Sequence, residues 1–186
     1  MKANPIVIGF DDASFEIKSK EKSTHLIGVV CQGVRVVQLV RSEITIDGND
    51  ATNKLIQLVK LNEKHIQYIF THTITFGGFN IINFQEIYDK TQIPVIGITD
   101  QMPDFEAVQK ALKKNFPGKY NEKIQYILNA GELYQTEVKT AGGLSKIFFH
   151  SLGISNQEVN QLLEKVCIDS KIPECLRLAH MIGRLF

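Results

Sequence analysis

A chain of 186 residues, 44% hydrophobic and 22% charged, has ordinary globular composition and enough length for a core without disulfide or metal staples. No apolar run approaches the roughly 18 residues of a membrane helix. Residues 1–5 lead straight into a strand-like run, so neither a membrane span nor a signal peptide is expected and the chain reads as cytoplasmic.

A net charge of +1 argues against an overall basic field for nucleic acid and leaves only a local patch. Cys31, Cys167 and Cys175 are odd in number and scattered, which reads as reduced thiols rather than a disulfide framework or zinc site.

In chain order, residues 6–10 form a short β-branched run that predicts a buried strand. A charged stretch over 16–23 predicts a solvated loop or hairpin. Strands over 25–31 and 34–40 flank Gln32-Gly33, a hairpin signal. Residues 42–46 continue or add a strand. The turn cluster Asp47-Gly48-Asn49-Asp50 then opens a helix over 51–60, with Asp50 as N-cap and Leu55, Ile56 and Val59 facing inward.

A strand over 66–70, a glycine-bearing segment over 73–80 and a helix over 81–91 come after it. Next come a strand over 94–99 and a helix over 105–114 capped by Asp104. After a break at Phe116-Pro117-Gly118 a helix resumes over 122–130. Residues 132–140 predict an edge strand and 145–150 another strand. A helix over 155–167 is capped by Ser155, and the last, over 173–186, has Pro173 in its first turn. Antiparallel strands followed by alternating strands and helices predict a mixed central sheet with helices on both faces, in one domain.

The chemistry-bearing residues gather at strand ends. Asp11 and Asp12 directly follow the first buried strand, where sheet crevices receive ligands. A carboxylate there suits Mg²⁺, which prefers oxygen and borrows one or two carboxylates from the protein. A turn pair closing the strand is the alternative. Asp47 and Asp50 stand where the third strand hands over to a helix. N-capping alone accounts for Asp50, yet four carboxylates at two strand ends match metal-assisted phosphodiester chemistry.

Gly77, Gly78 and Asn80 lie between a strand and a helix, where backbone amides either cradle a phosphate or make a tight turn. His72 falls just past a strand end, toward the crevice of Asp11. His180 sits inside the last helix with Arg177 three residues earlier, an imidazole and a phosphate-capable guanidinium on one face. A structural histidine is the alternative. His25, His65 and His150 receive no role.

Four ordered blocks carry a wider resemblance: Gly9-Phe10-Asp11-Asp12-Ala13, the run from Thr45 to Thr52, Ile74-Thr75-Phe76-Gly77-Gly78-Phe79-Asn80, and Ile172-Pro173-Glu174 through Leu178-Ala179-His180. Over nearly its whole length the chain resembles an archaeal family of small proteins called endonuclease dU, itself similar to endonuclease V. The resemblance implies an α/β, ribonuclease H-like fold and magnesium-dependent cleavage near a deaminated base. By carry-over, Asp11 and Asp50 hold magnesium, with Asp12 beside them, and His180 assists the phosphate or water. Gly77, Gly78, Asn80 and Arg177 approach the nucleic acid.

Two departures stand out. Relatives usually carry Asp-Gly where this chain has His72-Thr73, and that Asp is a metal ligand in the endonuclease V comparison. Basic residues usually follow the Pro94-Val95-Ile96 strand, whereas this chain reads Thr99-Asp100-Gln101-Met102. His72 is then a substitute ligand, in a site using Mg²⁺ or, since manganese tolerates imidazole, Mn²⁺.

The leading expectation is a metal-dependent endonuclease on deaminated or damaged nucleic acid, DNA rather than RNA. The alternative is an inactive nucleic-acid- or protein-binding descendant of the same fold. No cysteine loop or P-loop supports a small-molecule phosphatase or phosphotransferase.

Overall fold

The computed structural model describes residues 2–15, 22–61 and 63–186. Of the charged stretch expected at 16–23, positions 16–21 lie outside the described residues.

The N-terminal half builds an antiparallel meander. Strand β1 (Ile6–Asp12) pairs with β2 (Ser23–Gln32), and β2 with β3 (Arg35–Thr45). Gly33, at φ +62°, makes the tight turn between β2 and β3 that Gln32-Gly33 predicted. The two runs expected over 34–40 and 42–46 are one strand, whose register shifts opposite Val30 and Cys31.

Helix α1 (Ala51–Lys60) follows, then β4 (Tyr68–His72), the small hairpin β5 (Thr75–Phe76) and β6 (Asn80–Ile81), helix α2 (Phe84–Thr91) and β7 (Val95–Thr99). Of the boundaries that differ from expectation, two bear on the candidate site. β4 runs two residues further, so His72 is its last residue and pairs with Ile98. The helix expected from 81 begins at Phe84, because Asn80 and Ile81 pair with Phe76 and Thr75 and Asn83 accepts a capping bond from Glu86 N.

The chain then forms α3 (Phe105–Asn115), a single 3₁₀ turn at Pro117–Lys119, α4 (Tyr120–Asn129), β8 (Tyr134–Thr140), β9 (Gly143–Leu152), α5 (Asn156–Val166) and α6 (Glu174–Gly183). Asp104 caps α3 and Ser155 caps α5 through a reciprocal box with Glu158. Pro173 stands at the N-cap of α6 rather than inside its first turn.

The seven main strands order as β3-β2-β1-β4-β7-β9-β8, with β1, β4 and β7 parallel and the rest antiparallel to their neighbours. The three parallel strands are apolar on both faces, so each feeds two cores. One packs Ile8, Phe10, Ile69 and Val95 under α1 and α2. The other packs Val7, Phe70, Ile96 and Ile98 under α5 and α6. All three cysteines are free and buried, and burial pushes Cys31 up to about 11 and Cys167 to about 12. Among the described residues no helix is long and apolar enough to cross a membrane.

Helix α6 is seated on the sheet at both of its ends by glycine. A methyl group on Gly9 would stand 2.7 Å from Cys175 Sγ and 2.8 Å from Leu176 N, so the start of α6 rests on the backbone of β1. At its other end, Gly183 approaches Asp12 O and Ala13 just as closely, and Ser14 N donates to Gly183 O at 3.1 Å. These two contacts lay α6 along β1, and His180 lies between them.

Candidate functional site

The carboxyl ends of β1 and β4 open onto a cavity of about 520 Å³, lined by Asp11, Asp12, His72, Thr73, His180 and Arg184 among others. Asp11, at 3% exposure, is the buried pivot. Its Oδ2 lies 3.2 Å from His72 Nδ1 and 2.9 Å from His180 Nδ1, and its Oδ1 accepts from Asp12 N at 3.0 Å. The two imidazoles meet edge to face, with centroids 5.8 Å apart. One ligand atom from each of Asp11, His72 and His180 lies within 4.8 Å of the others. Each comes from a different element, β1, β4 and α6.

The electrostatics follow from this packing. The hydrogen bond to Asp11 raises His72 above the ordinary imidazole value against the opposing effect of burial, and the charges of Asp11, Asp100 and Asp12 add to the rise. Burial, together with the Asp11 charge, pushes Asp12 up to about 6, although Gly77 N donates to its Oδ2 at 2.6 Å and lowers it.

His72 is followed by backbone strain. Thr73 has φ +65°, a left-handed conformation that a β-branched residue rarely adopts. Three bonds hold it there. Thr73 N donates to Ile98 O at 2.8 Å, Thr71 Oγ1 to Thr73 O at 2.6 Å, and Thr73 Oγ1 to Thr75 O at 3.0 Å. Where relatives were expected to carry glycine, this chain keeps the glycine-like backbone with a threonine.

Of the residues singled out by sequence, Asp11, Asp12, His72, His180 and Gly78 share the cavity wall, and Gly77 is tied to it through Asp12. The others are engaged elsewhere. The carboxylate of Asp50 makes no cap bond to α1. It accepts from Thr45 N, Thr45 Oγ1 and Asn80 Nδ2, the last at 2.6 Å. Asp50 stands at the N-cap position as expected, but its carboxylate is drawn to Thr45 and Asn80 and does not cap the helix, while Asn80 Oδ1 accepts from Ala51 N. Asn80 is fully buried by this exchange.

Asp47, at φ +57°, accepts from Phe79 N at 2.8 Å and pins the glycine turn. Arg177 forms a two-pronged pair with Glu174, both contacts at 2.7 Å, and lies outside the cavity lining. His150 bonds the Gly131 and Glu132 carbonyls.

Two residues escaped sequence reading. Arg184, four residues after His180 and so on its helix face, is the arginine that lines the cavity. Lys123 of α4 is buried and donates to Gly48 O, Asn49 Oδ1 and Phe79 O at 3.0, 2.9 and 2.6 Å, joining the two loops behind the cavity. Its only sequence signal was the helical spacing it shares with Ile127 and Ala130, which marks an inward face.

A sheet of this order, with a buried aspartate near the end of its first strand, has the ribonuclease H-like fold also seen in endonuclease V. Endonuclease V of Ciona intestinalis, solved with a 24mer DNA containing an inosine followed by a ribo-adenosine, superposes with a TM-score of 0.58 over 95% of this chain and 83% of that one, at 12% identity. Residues 5–186 match the family model described as Endonuclease dU, and the chain belongs to that family.

A UPF0215 protein of Methanocaldococcus jannaschii is 39% identical, covering 100% of this chain and 96% of its own. One from Thermococcus sibiricus is 38% identical over 95% and 89%. A crystal structure of a protein from Archaeoglobus fulgidus superposes with a TM-score of 0.83 at 30% identity, covering 96% of both chains.

Proposed function

We propose that the chain is a divalent-metal-dependent endonuclease that hydrolyses a phosphodiester of deaminated or damaged nucleic acid, DNA rather than RNA. It acts in the cytoplasm as one domain over 1–186. The observation that carries this reading is the convergence of Asp11, His72 and His180 at the mouth of a cavity in an endonuclease V-type fold. Membership of the Endonuclease dU family supports it, as does the likeness to an endonuclease V solved with DNA.

The three side chains would hold a divalent ion, which when bound supplies Lewis-acid stabilisation of the phosphoryl oxygens. The remaining work belongs to the chain. Arg184, at the cavity wall and free of the Glu174 clamp that occupies Arg177, engages the phosphate. Asp12, ionising at about 6, accepts a proton from the attacking water above that pH, while the water oxygen bonds phosphorus, the P–O ester bond opposite breaks and its departing oxygen takes a proton from solvent water. The Gly78 turn lets the nucleic-acid backbone approach, since no side chain stands there.

The test is cleavage of short labelled oligonucleotides carrying deoxyuridine, deoxyinosine or no lesion, in Mg²⁺ and in Mn²⁺. Metal-dependent nicking that falls on the order of 10³-fold in Asp11→Ala is the expected result. Silence of the folded protein in both metals favours the inactive binding descendant, a reading supported by Asp100, an acidic residue where basic ones were expected.

A further inference from the structure

The donors that converge at the cavity floor do not match magnesium. Mg²⁺ takes oxygen ligands in near-octahedral geometry and gives up its water reluctantly. Here the convergent set is one carboxylate and two imidazoles. The other nearby carboxylates offer little more. Asp12 Oδ2 is taken by Gly77 N, which leaves that side chain one oxygen to offer, and Asp47 and Asp50 accept hydrogen bonds from the two loops.

We infer that Asp11, His72 and His180 form a two-histidine, one-carboxylate site for a borderline divalent ion of the Mn²⁺, Fe²⁺, Co²⁺ or Zn²⁺ class, and that this site rejects Mg²⁺. The inference rests on the reading of this cavity as a metal centre.

Four features of the chain support it. The ligands come from β1, β4 and α6, so the sheet and the Gly9–Cys175 contact set their spacing before any ion arrives. Both imidazoles present the same ring atom, Nδ1, to the same oxygen of Asp11, which brings the three donors to one point. Opposite that point lies the open cavity, so three protein donors leave positions for water or substrate, as catalytic rather than structural sites do. The strained, thrice-bonded Thr73 fixes the backbone on which His72 is carried.

The experiment is binding, not turnover. Full-length protein is stripped with a chelator and titrated with Co²⁺, following visible d–d absorption, with calorimetry for Mn²⁺, Zn²⁺ and Mg²⁺. One equivalent of Co²⁺ should develop visible bands, be displaced by Zn²⁺, and be preferred over Mg²⁺ by about 100-fold. His72→Asp should move the site toward oxygen donors, weakening Co²⁺ and strengthening Mg²⁺ by about 10-fold each.

Equal or tighter Mg²⁺ binding by the unaltered protein overturns the inference, as does Co²⁺ uptake that folded His72→Gln and His180→Gln leave unchanged. The two readings fail separately. Selective Co²⁺ binding without cleavage sinks the nuclease reading alone, and Mg²⁺-driven cleavage without Co²⁺ preference sinks this one alone.

Discussion

The acidic pairs Asp11–Asp12 and Asp47–Asp50 occupy comparable places along the chain, each where a strand gives way to a turn, yet their surroundings are opposite. Asp47 is exposed and Asp50 half-buried, and both are engaged by polar donors: Phe79 N on one, and Thr45 and Asn80 on the other. Lys123 closes the same loops from behind. Asp11 and Asp12 face a cavity, and what meets Asp11 there is two imidazoles from distant elements. What separates the pairs is that Asp11 and Asp12 line the cavity and Asp47 and Asp50 do not, and rank in the sequence does not reveal which case holds.

The largest expected effect that separates the pairs is on Asp50. Asp50→Ala leaves Thr45 N and the buried Asn80 amide short of an acceptor, which should cost about 2–4 kcal/mol in urea unfolding. Metal affinity of the folded variant should be unchanged. Loss of metal binding with stability intact would merge the two pairs into one site.

A second test uses pH on the metal-free protein. Asp12 ionises at about 6 in the folded state against 3.8 otherwise, so the fold holds its proton more tightly. Its stabilising contribution is whole below pH 3.8 and is lost as pH rises through about 6, by roughly 2–3 kcal/mol. His72 is also raised, so its contribution is whole below the ordinary imidazole value and is lost at higher pH. Melting curves across pH 4 to 8 should therefore fall in two stages. Asp12→Asn should remove the first and keep the second, whereas Asp47→Asn should alter neither.

The smallest effect concerns Thr73. Thr73→Gly and Thr73→Ala both remove the hydroxyl, but only glycine is at ease at φ +65°. The glycine variant should be the more stable by about 1 kcal/mol in matched denaturant melts. Equal stabilities would mean that the backbone relaxes once the side chain is gone.

The local rules were legible where a residue's neighbours in sequence decide its state. Ser155 and Asp104 cap helices because the N–H groups they accept lie three residues ahead. Gly33 turns the hairpin through its own φ. Asp50 stands at the N-cap of α1 as that logic expects, but its carboxylate is drawn off by Thr45 and by Asn80, thirty residues away, and makes no cap bond. The boundary of α2 moved for a related reason, because β5–β6 pairing claimed two of its expected residues.

By itself, the sequence determined the alternation of strands and helices and the antiparallel opening, and it put Asp11, His72 and His180 on a longer roll of candidates with Asp12 and Asp50. Those come from side-chain periodicity, turn chemistry and the four ordered blocks. Only the tertiary structure decided that Asp11, His72 and His180 meet while Asp50, Asn80 and Arg177 stand elsewhere. That choice is made by the packing of α6 on β1 through Gly9 and Gly183, which delivers His180 and Arg184 to the cavity and leaves Arg177 to Glu174. Contacts across 169 residues, such as His180 to Asp11, are set by how two backbones fit, and no local spacing encodes them.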